Sequence, residues 1–553
     1  MKNISILLLG LFITVPSFSR ERTEKEMYSI ANMHFEKNKA KSRNKAVIDK
    51  EDFKTISEVV QTSSYSIFAN QTSFVIVGRD NTMPEILGYS ETSFEKDNLA
   101  PGLKWWLNAI EHSVNSTAEN TRGVSNNVEY IPIENFIETT WSQGDPYNSL
   151  CPLIDGKKPQ TGCVATAMAQ VLYYCKYPEK SSGTGYYKTN ANETEHKEFL
   201  STVFNWDAMR PSYAVNDYSE ESKTAVAELM RDCGLATGMR YGVGSSGAQS
   251  RVAANGFINN LGFSTLGLRF ADRTYYSDEE WMGIVYEELA SKRPIYYGGA
   301  DLKESSGHAF VLSGVDSEGR VYVNWGWGGS GNGYYDIKSL APNVTGINSN
   351  FSDQQDMIYG ITPHPEQISS VVKCSEFIAE YEYDLETYEA LKGYVRVVLP
   401  QIYNGYINGF RGKVSLCVEN TYGKTTAYTL VEVKSPSIVP IYYAPNQSDY
   451  KSMLKDLGKL DPGTYKAYVG SKSEEDTKYQ PLRCPNGPRF FSLVKDDEGT
   501  IEIFKGSPTG ISSICSNKHS QSYIYDLQGQ NLGTSTDAQP KGIYIIGGKK
   551  VVK

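Results

Sequence analysis

Apolar positions in the first quarter of the chain follow two different rhythms. Phe74-Val75-Ile76-Val77 is a short continuous apolar run stopped by Gly78-Arg79-Asp80, and Ile86-Leu87-Gly88-Tyr89-Ser90 follows it; the pattern predicts two neighbouring strands joined by a turn. Over residues 101–114 the period lengthens: Leu103, Trp106, Leu107 and Ile110 stand at i, i+3, i+4 and i+7, one face of an amphipathic helix. Residues 20–60 interleave Lys, Arg, Glu and Asp and are helix-permissive. Residues 115–127 are Ser, Thr, Asn and Gly with Arg122 among them, the composition of an exposed connection open to proteolysis.

The middle of the chain divides by period. Residues 163–177 form an Ala-rich helical run, and in 220–233 Ala225, Leu229 and Met230 make an apolar stripe. From residue 293 onwards the runs are strand-like: 293–298, 308–315, 320–325 and 333–337, each bounded by Gly. A helical half followed by a sheet half predicts an α+β domain of two lobes, with a cleft between them. Residues 183–199 read as a polar insertion, an exposed hairpin or loop. Past residue 363 the helical period fades, and alternating runs such as Tyr394-Val395-Arg396-Val397-Val398-Leu399 predict a β-sandwich.

The expected layout is a leader over 1–19, a first domain over 20–127, a two-lobed domain over 128–363, a β-sandwich over 364–510 and a terminal β segment over 511–553. Length agrees: 553 residues correspond to three or four domains at roughly 150 residues each. The leader is read from Met1-Lys2-Asn3, an apolar stretch over 4–15 and Ser17-Phe18-Ser19, the parts of an export signal cut after Ser19. That stretch is short for a bilayer span, so the mature chain is expected to carry no transmembrane helix and to be secreted or held at the cell surface.

A formal net charge of −9 without any clustered basic run argues against a nucleic-acid partner. The eight cysteines are widely spaced and contain no CxxC, which supports neither a zinc knuckle nor a redox motif. Cys151, Cys175 and Cys233 are expected as buried free thiols, while the pairing of Cys374, Cys417, Cys484 and Cys515 cannot be read from spacing. No metal and no organic cofactor is implied.

Candidate chemistry begins at Thr161-Gly162-Cys163-Val164-Ala165-Thr166-Ala167, which sets one cysteine at the start of a helix. Unpaired N–H groups and the positive end of the helix dipole there favour thiolate over thiol. Gly307-His308-Ala309-Phe310 supplies an imidazole in a strand-like context. His308 is singled out because His34 and His112 fall in the first domain, His196 in the polar insertion, and His364 and His519 beyond the two-lobed domain. A Cys–His pair of this kind suits nucleophilic catalysis. The competing readings are a core cysteine and a satisfied core histidine.

Trp141-Ser142-Gln143-Gly144-Asp145-Pro146-Tyr147-Asn148, the Thr-Gly-Cys run, Gly307-His308-Ala309-Phe310 and Val323-Asn324-Trp325-Gly326-Trp327-Gly328-Gly329 occur in that order. Together they resemble the motifs of the streptopain-like cysteine peptidases, a papain-like group. The resemblance covers roughly residues 70–363. It implies a secreted endopeptidase made as a zymogen, with Cys163 as nucleophile, His308 as general acid and base, and Gln143 beside the Cys163 N–H in the oxyanion hole. It further implies a supporting role for Trp325 beside the imidazole, contacts from Ser246 and Gly307 to the substrate backbone, and an apolar preference at the second residue before the cut. Asn98 matches an asparagine that reaches into the zymogen's active site, the alternative being an ordinary turn residue. Asn324 stands where the papain-type histidine partner lies.

The partners so implied are protein substrates, the first domain as intramolecular inhibitor, and secretion machinery at the C-terminus, where residues 522–553 resemble sorting domains of secreted bacterial proteins. Two other classes remain open at this level. One is a surface adhesin carried by the C-terminal β modules; the other is a transglutaminase-like acyltransferase, for which Asp316 is the available third residue.

Overall fold

In the computed structural model the described residues are 20–42, 56–116, 130–189, 192–215, 217–265, 267–301, 306–337, 355–364, 377–405, 410–437, 450–474, 476–485, 487–506, 524–525, 543–546 and 549–552. The expected leader and the connection at 117–127 lie outside them. The chain is mixed α+β and divides into two compact units: Met1–Ser264 with Trp281–Pro363, and Thr265–Glu280 with His364–Lys553.

The first unit opens with helix α1 (Glu24–Ser42) and four antiparallel strands, β1 (Ser57–Gln61), β2 (Tyr65–Ala69), β3 (Phe74–Gly78) and β4 (Ile86–Ser90), followed by helix α2 (Pro101–Ser116). Met27, Ile30 and Ala31 of α1 bury against Phe68, Val75 and Val77 of the strands. The chain before α1 is clamped: the Arg22 guanidinium donates to the carbonyls of Gly78 (2.7 Å), Asp80 (2.6 Å) and Met83 (2.8 Å), holding the turn after β3.

Next come α3 (Cys163–Cys175), the hairpin β5 (Thr184–Thr189) and β6 (Asn192–Phe199), α4 (Glu220–Ala236), β7 (Arg240–Tyr241) and α5 (Ser250–Asn259). The polar insertion is therefore a hairpin. The segment Thr265–Glu280 of the second unit carries β8 (Arg269–Asp272) and the start of α6 (Asp278–Ala290), and the first unit resumes at Trp281 with the rest of α6, β9 (Ile295–Asp301), β10 (Ser306–Val315), β11 (Val321–Asn324), β12 (Gly333–Tyr335) and β13 (Gln355–Tyr359). One sheet runs through the unit in the order β1-β2-β3-β4-β12-β11-β10-β9-β13.

The join between its halves is the antiparallel pair β4·β12, with Ser90 opposite Gly333, Tyr89 opposite Tyr334 and Gly88 opposite Tyr335. Glycine is required there, because a Cβ on Gly333 would stand 2.1 Å from the Tyr89 carbonyl and one on Gly88 2.5 Å from the Tyr335 ring. At the far end, buried Glu288 takes a bidentate pair from Arg293 (2.7 and 2.8 Å) and the Gly360 N–H at 2.9 Å, tying α6 to the chain after β13.

The second unit is almost all strand. Its largest sheet runs Thr425–Ser437, Phe410–Glu419, Gly463–Ser473, Phe491–Lys495 and Ile501–Lys505, and smaller sheets include the ladder Asp384–Thr387, Tyr394–Pro400 and Tyr450–Asp456. Alternation places Val395, Val397 and Leu399 from one sheet with Val414, Leu416, Val418, Ala467 and Val469 from another in a single core. The Lys495 ammonium, almost enclosed, donates to the carbonyls of Leu457, Gly458 and Leu460 at 3.3, 2.7 and 2.6 Å. Backbone pairing at Ile524–Tyr525, Ile543–Ile546 and Lys549–Val552 forms a three-stranded sheet at the end of the chain.

Cys151, Cys233, Cys417 and Cys484 are buried free thiols, and Cys175 is free and half-buried. Burial pushes the Cys151 and Cys175 thiols up to about 11 and about 12, so both stay protonated and behave as core groups. Cys374 and Cys515 lie outside the described residues.

Candidate active site

Cys163 is the first residue of α3, and Gly162 before it adopts φ +89°, a conformation open to glycine that turns the chain into the helix. The same glycine is needed for space: a Cβ would stand 2.7 Å from the Met239 sulfur and 3.1 Å from the Ser246 carbonyl. Two residues earlier the Thr161 N–H donates to the Gln143 carbonyl at 3.0 Å, holding the 141–145 segment beside the helix start. Gln143 is 4% exposed. No hydrogen bond engages its side-chain amide among the described residues.

His308 stands on β10 and its side chain reaches the Cys163 sulfur. Its Nε2 donates to the main-chain carbonyl of Trp325 at 3.0 Å, which fixes the tautomer and leaves Nδ1 for the thiol. Burial pushes the Cys163 thiol up, but the charge of His308, its hydrogen bond and the main-chain N–H groups of Ala309 and Val164 outweigh that, and the net direction is down. His308 mirrors it: burial lowers it, while the Cys163 charge, the hydrogen bond and the Trp325 carbonyl raise it further. Opposite shifts in two touching groups favour a thiolate–imidazolium pair.

The indole of Trp325 is completely buried, tilted against Phe310 at 4.8 Å and Tyr335 at 5.2 Å, with its Nε1–H on the Gly331 carbonyl at 2.9 Å. Its main-chain N–H donates to Asn332 Oδ1 at 3.0 Å, so the carbonyl that holds His308 is fixed from both sides.

Asn324 is not the histidine's partner. Its Nδ2 donates to the Thr139 carbonyl (2.6 Å) and to Gln170 Oε1 (2.9 Å), and its Oδ1 accepts from the Gly326 N–H (3.1 Å). A strand alternates its side chains, so Asn324 turns into the core while the carbonyl one residue on meets the imidazole. The asparagine instead links the strand that carries Trp325 to Gln170, two turns along the helix that begins with Cys163.

Asp316 is likewise engaged elsewhere, paired with Arg320 at 2.8 Å in the β10–β11 turn, and forms no part of a Cys-His-Asp constellation. Ser246 is half-buried, with its Oγ accepting from the Gly242 N–H at 3.4 Å, and Gly307 is exposed one residue before His308.

Asn98 is also displaced from its expected place. It sits exposed on a single helical turn, Lys96–Asn98, and its amide donates to Glu95 at 3.4 Å. The residue that reaches the imidazole comes from the start of α2. A Cβ on Gly102 would lie 2.3 Å from His308 Cδ2 and 2.5 Å from Trp325 Cε3. One turn on, the Trp105 ring covers Gly299, where a Cβ would meet it at 2.2 Å. Gly299 is the cross-strand partner of His308, so α2 lies on the His308 face of the sheet. The pattern over 101–114 assigned Trp106 and Leu107 to the apolar face; the closeness of Gly102 had no signal in a single sequence.

Among the described residues no group of His, Cys, Asp and Glu is arranged to hold a metal ion, and no helix is long and apolar enough to cross a membrane.

Comparison with known proteins agrees with this geometry. Residues 141–335 match the peptidase C10 family and residues 20–114 match the Spi protease inhibitor family. Streptopain of Streptococcus pyogenes is 30% identical over 394 residues, an alignment covering 98% of that protein and 65% of this chain. The thiol protease/hemagglutinin PrtT of Porphyromonas gingivalis is 31% identical over 327 residues, covering 54% of this chain and 37% of the relative. Among solved structures, a cysteine-to-alanine mutant fragment of prointerpain A from Prevotella intermedia superposes with a TM-score of 0.50 at 35% identity, over 56% of this chain and 98% of that one. With an inhibitor-like segment laid over a cysteine and a histidine that perturb one another, and with nearly all of streptopain aligned, the chain belongs to the streptopain, or peptidase C10, family of cysteine peptidases and is a zymogen of that kind.

Proposed function

We propose that Cys163 attacks the substrate carbonyl as thiolate, that His308 gives its proton to the departing amine, and that water then resolves the thioester with His308 as base. In this reading the Gln143 amide and the Cys163 N–H hold the oxyanion, Trp325 supports the imidazole through its carbonyl, and Ser246 and Gly307 bind the substrate backbone. The observation that carries the reading is the Cys163–His308 contact itself, made between residues 145 positions apart whose proton affinities shift in opposite directions.

Residues 20–127 act as the inhibitory prodomain, a reading supported by Gly102 and Trp105 lying over His308 and Gly299. Access then depends on a cut within 115–127, made by the enzyme itself. Residues 128–363 form the two-lobed papain-like domain, 364–510 a β-sandwich, and 511–553 a segment read by the export machinery. The 1–19 leader makes the product secreted or surface-held. Purified precursor and its Cys163→Ala variant, incubated with casein, test the core of this reading: the parent shortens and releases peptides, and the variant does neither. Equal maturation and digestion by the variant overturns it.

A further inference from the structure

Three segments that carry the proposed chemistry meet at one side-chain oxygen. Gln170 stands seven residues after Cys163 on α3, two turns along and on the same face of the helix, and it is completely buried. Its Oε1 accepts from the Thr139 hydroxyl at 2.8 Å and from Asn324 Nδ2 at 2.9 Å. Thr139 lies four residues before Gln143 in the chain, and Asn324 precedes Trp325, whose carbonyl holds the imidazole. The helix of the nucleophile, the segment of the oxyanion donor and the carbonyl behind the histidine are thus tied to a single atom.

Main-chain groups fix the orientation of that amide. The Thr139 carbonyl can only accept and the Gly326 N–H can only donate, so Asn324 presents Nδ2 to the first and Oδ1 to the second. The same Nδ2 then requires an acceptor at Gln170, which turns the Gln170 Nε2 to a buried position where it has no hydrogen-bond partner among the described residues. A buried donor left unpaired costs free energy, and a leucine at this position would not carry it. What the glutamine adds is the acceptor.

A helix is stiff, and α3 is held to the 139–143 segment at two points. At its start the Thr161 N–H bonds to the Gln143 carbonyl, and two turns on Gln170 bonds to Thr139. Anchors about 10 Å apart along the axis fix both the slide and the rotation of the helix. The bond to Asn324 extends the same control to Trp325.

We propose that Gln170 is a positioning residue for the reaction: through Thr139 and Asn324 it sets where the Cys163 sulfur stands against both the oxyanion donors and His308. The proposal rests on Cys163 being the nucleophile. Gln170 touches no reacting atom and acts by geometry, where a misplacement of about 1 Å lowers turnover roughly 100-fold.

For the test, parent and variant precursors are matured by a trace of tagged parent enzyme, which is then withdrawn. Each is assayed on one fluorogenic peptide for kcat and KM, and with iodoacetamide for the pH at which Cys163 becomes reactive. Gln170→Leu removes the acceptor and the unpaired donor together. It is expected to lose roughly 10- to 100-fold in kcat with KM held within about twofold, and to alkylate with a midpoint between those of the parent and His308→Gln. Gln170→Glu, which offers an oxygen to both donors in either protonation state, is expected to recover most of the kcat. Thr139→Val withdraws one donor at nearly constant shape; it is expected to lower kcat in the same way by a smaller factor, and it takes the place of Gln170→Leu if that variant does not fold. Parental kcat with an unshifted alkylation midpoint, in Gln170→Leu or in Thr139→Val standing in for it, overturns the positioning role alone. So does a loss of kcat that tracks a fall in denaturant midpoint and is not recovered by Gln170→Glu. A parent that does not cleave the peptide overturns the activity reading and the positioning role with it.

Discussion

The contact of Gly102 with His308 gives a quantitative handle on latency. In Gly102→Ala the new methyl group is placed 2.3 Å from His308 Cδ2, 2.5 Å from Trp325 Cε3 and 3.0 Å from His308 Nε2. The rings have little room to retreat, because Trp325 is wedged between Phe310 and Tyr335 and bonded to the Gly331 carbonyl. The helix must therefore lift. Forcing one methyl into a packed contact costs about 1–3 kcal/mol, and alanine's better helix propensity returns at most ~1 kcal/mol. A net loss of about 1–2 kcal/mol corresponds to roughly 5- to 30-fold more precursor with the cleft uncovered. The assay is the initial rate of casein hydrolysis by intact precursor, together with the time of its conversion to the mature band. Gly283→Ala is the control, since a Cβ there meets nothing within 4 Å. A Gly102→Ala precursor that matures at the parental rate, with the same initial activity, refutes the idea that this helix start is the seal.

Gln143→Ala is expected to lower kcat by roughly 10²–10³-fold with little change in KM, as for loss of one oxyanion donor, measured on a small fluorogenic peptide. The Cys163 thiol is held below its ordinary value, so its charge persists as pH falls until that lowered value is crossed; His308 is held above its own, so its charge persists as pH rises until the raised value is crossed. Alkylation of the parent by iodoacetamide should thus begin at lower pH than in His308→Gln, where only the Ala309 and Val164 N–H groups still oppose burial and the midpoint moves up; coincident midpoints would count against the ion pair. Asn324→Ala strands the Gly326 N–H and the Thr139 carbonyl in a dry interior, at about 1–3 kcal/mol for each group left unpaired, while Gln170 Oε1 keeps the Thr139 hydroxyl. It should therefore show a clear fall in denaturant midpoint, and an unchanged midpoint with lost activity would restore Asn324 as a direct partner of the histidine.

The sequence by itself determined the local elements and singled out the residues proposed to react. The 3.6-residue spacing of Leu103, Trp106, Leu107 and Ile110 marked α2, the Ala-rich run after Cys163 marked α3, and the Gly-bounded apolar runs marked the strands, because these depend on each residue's own shape and its near neighbours. Cys163, His308 and Gln143 were legible through motifs whose order survives in the chain. What the tertiary structure alone decided is how distant main-chain atoms meet. The histidine's acceptor is the Trp325 carbonyl and not the Asn324 amide, because strand alternation turns that amide into the core toward Gln170. The covering residue is Gly102 and not Asn98, because one glycine without a side chain lets a helix start touch two rings. A carbonyl and an absent side chain leave no mark on hydrophobic period or composition, and only the folded chain brings them into contact.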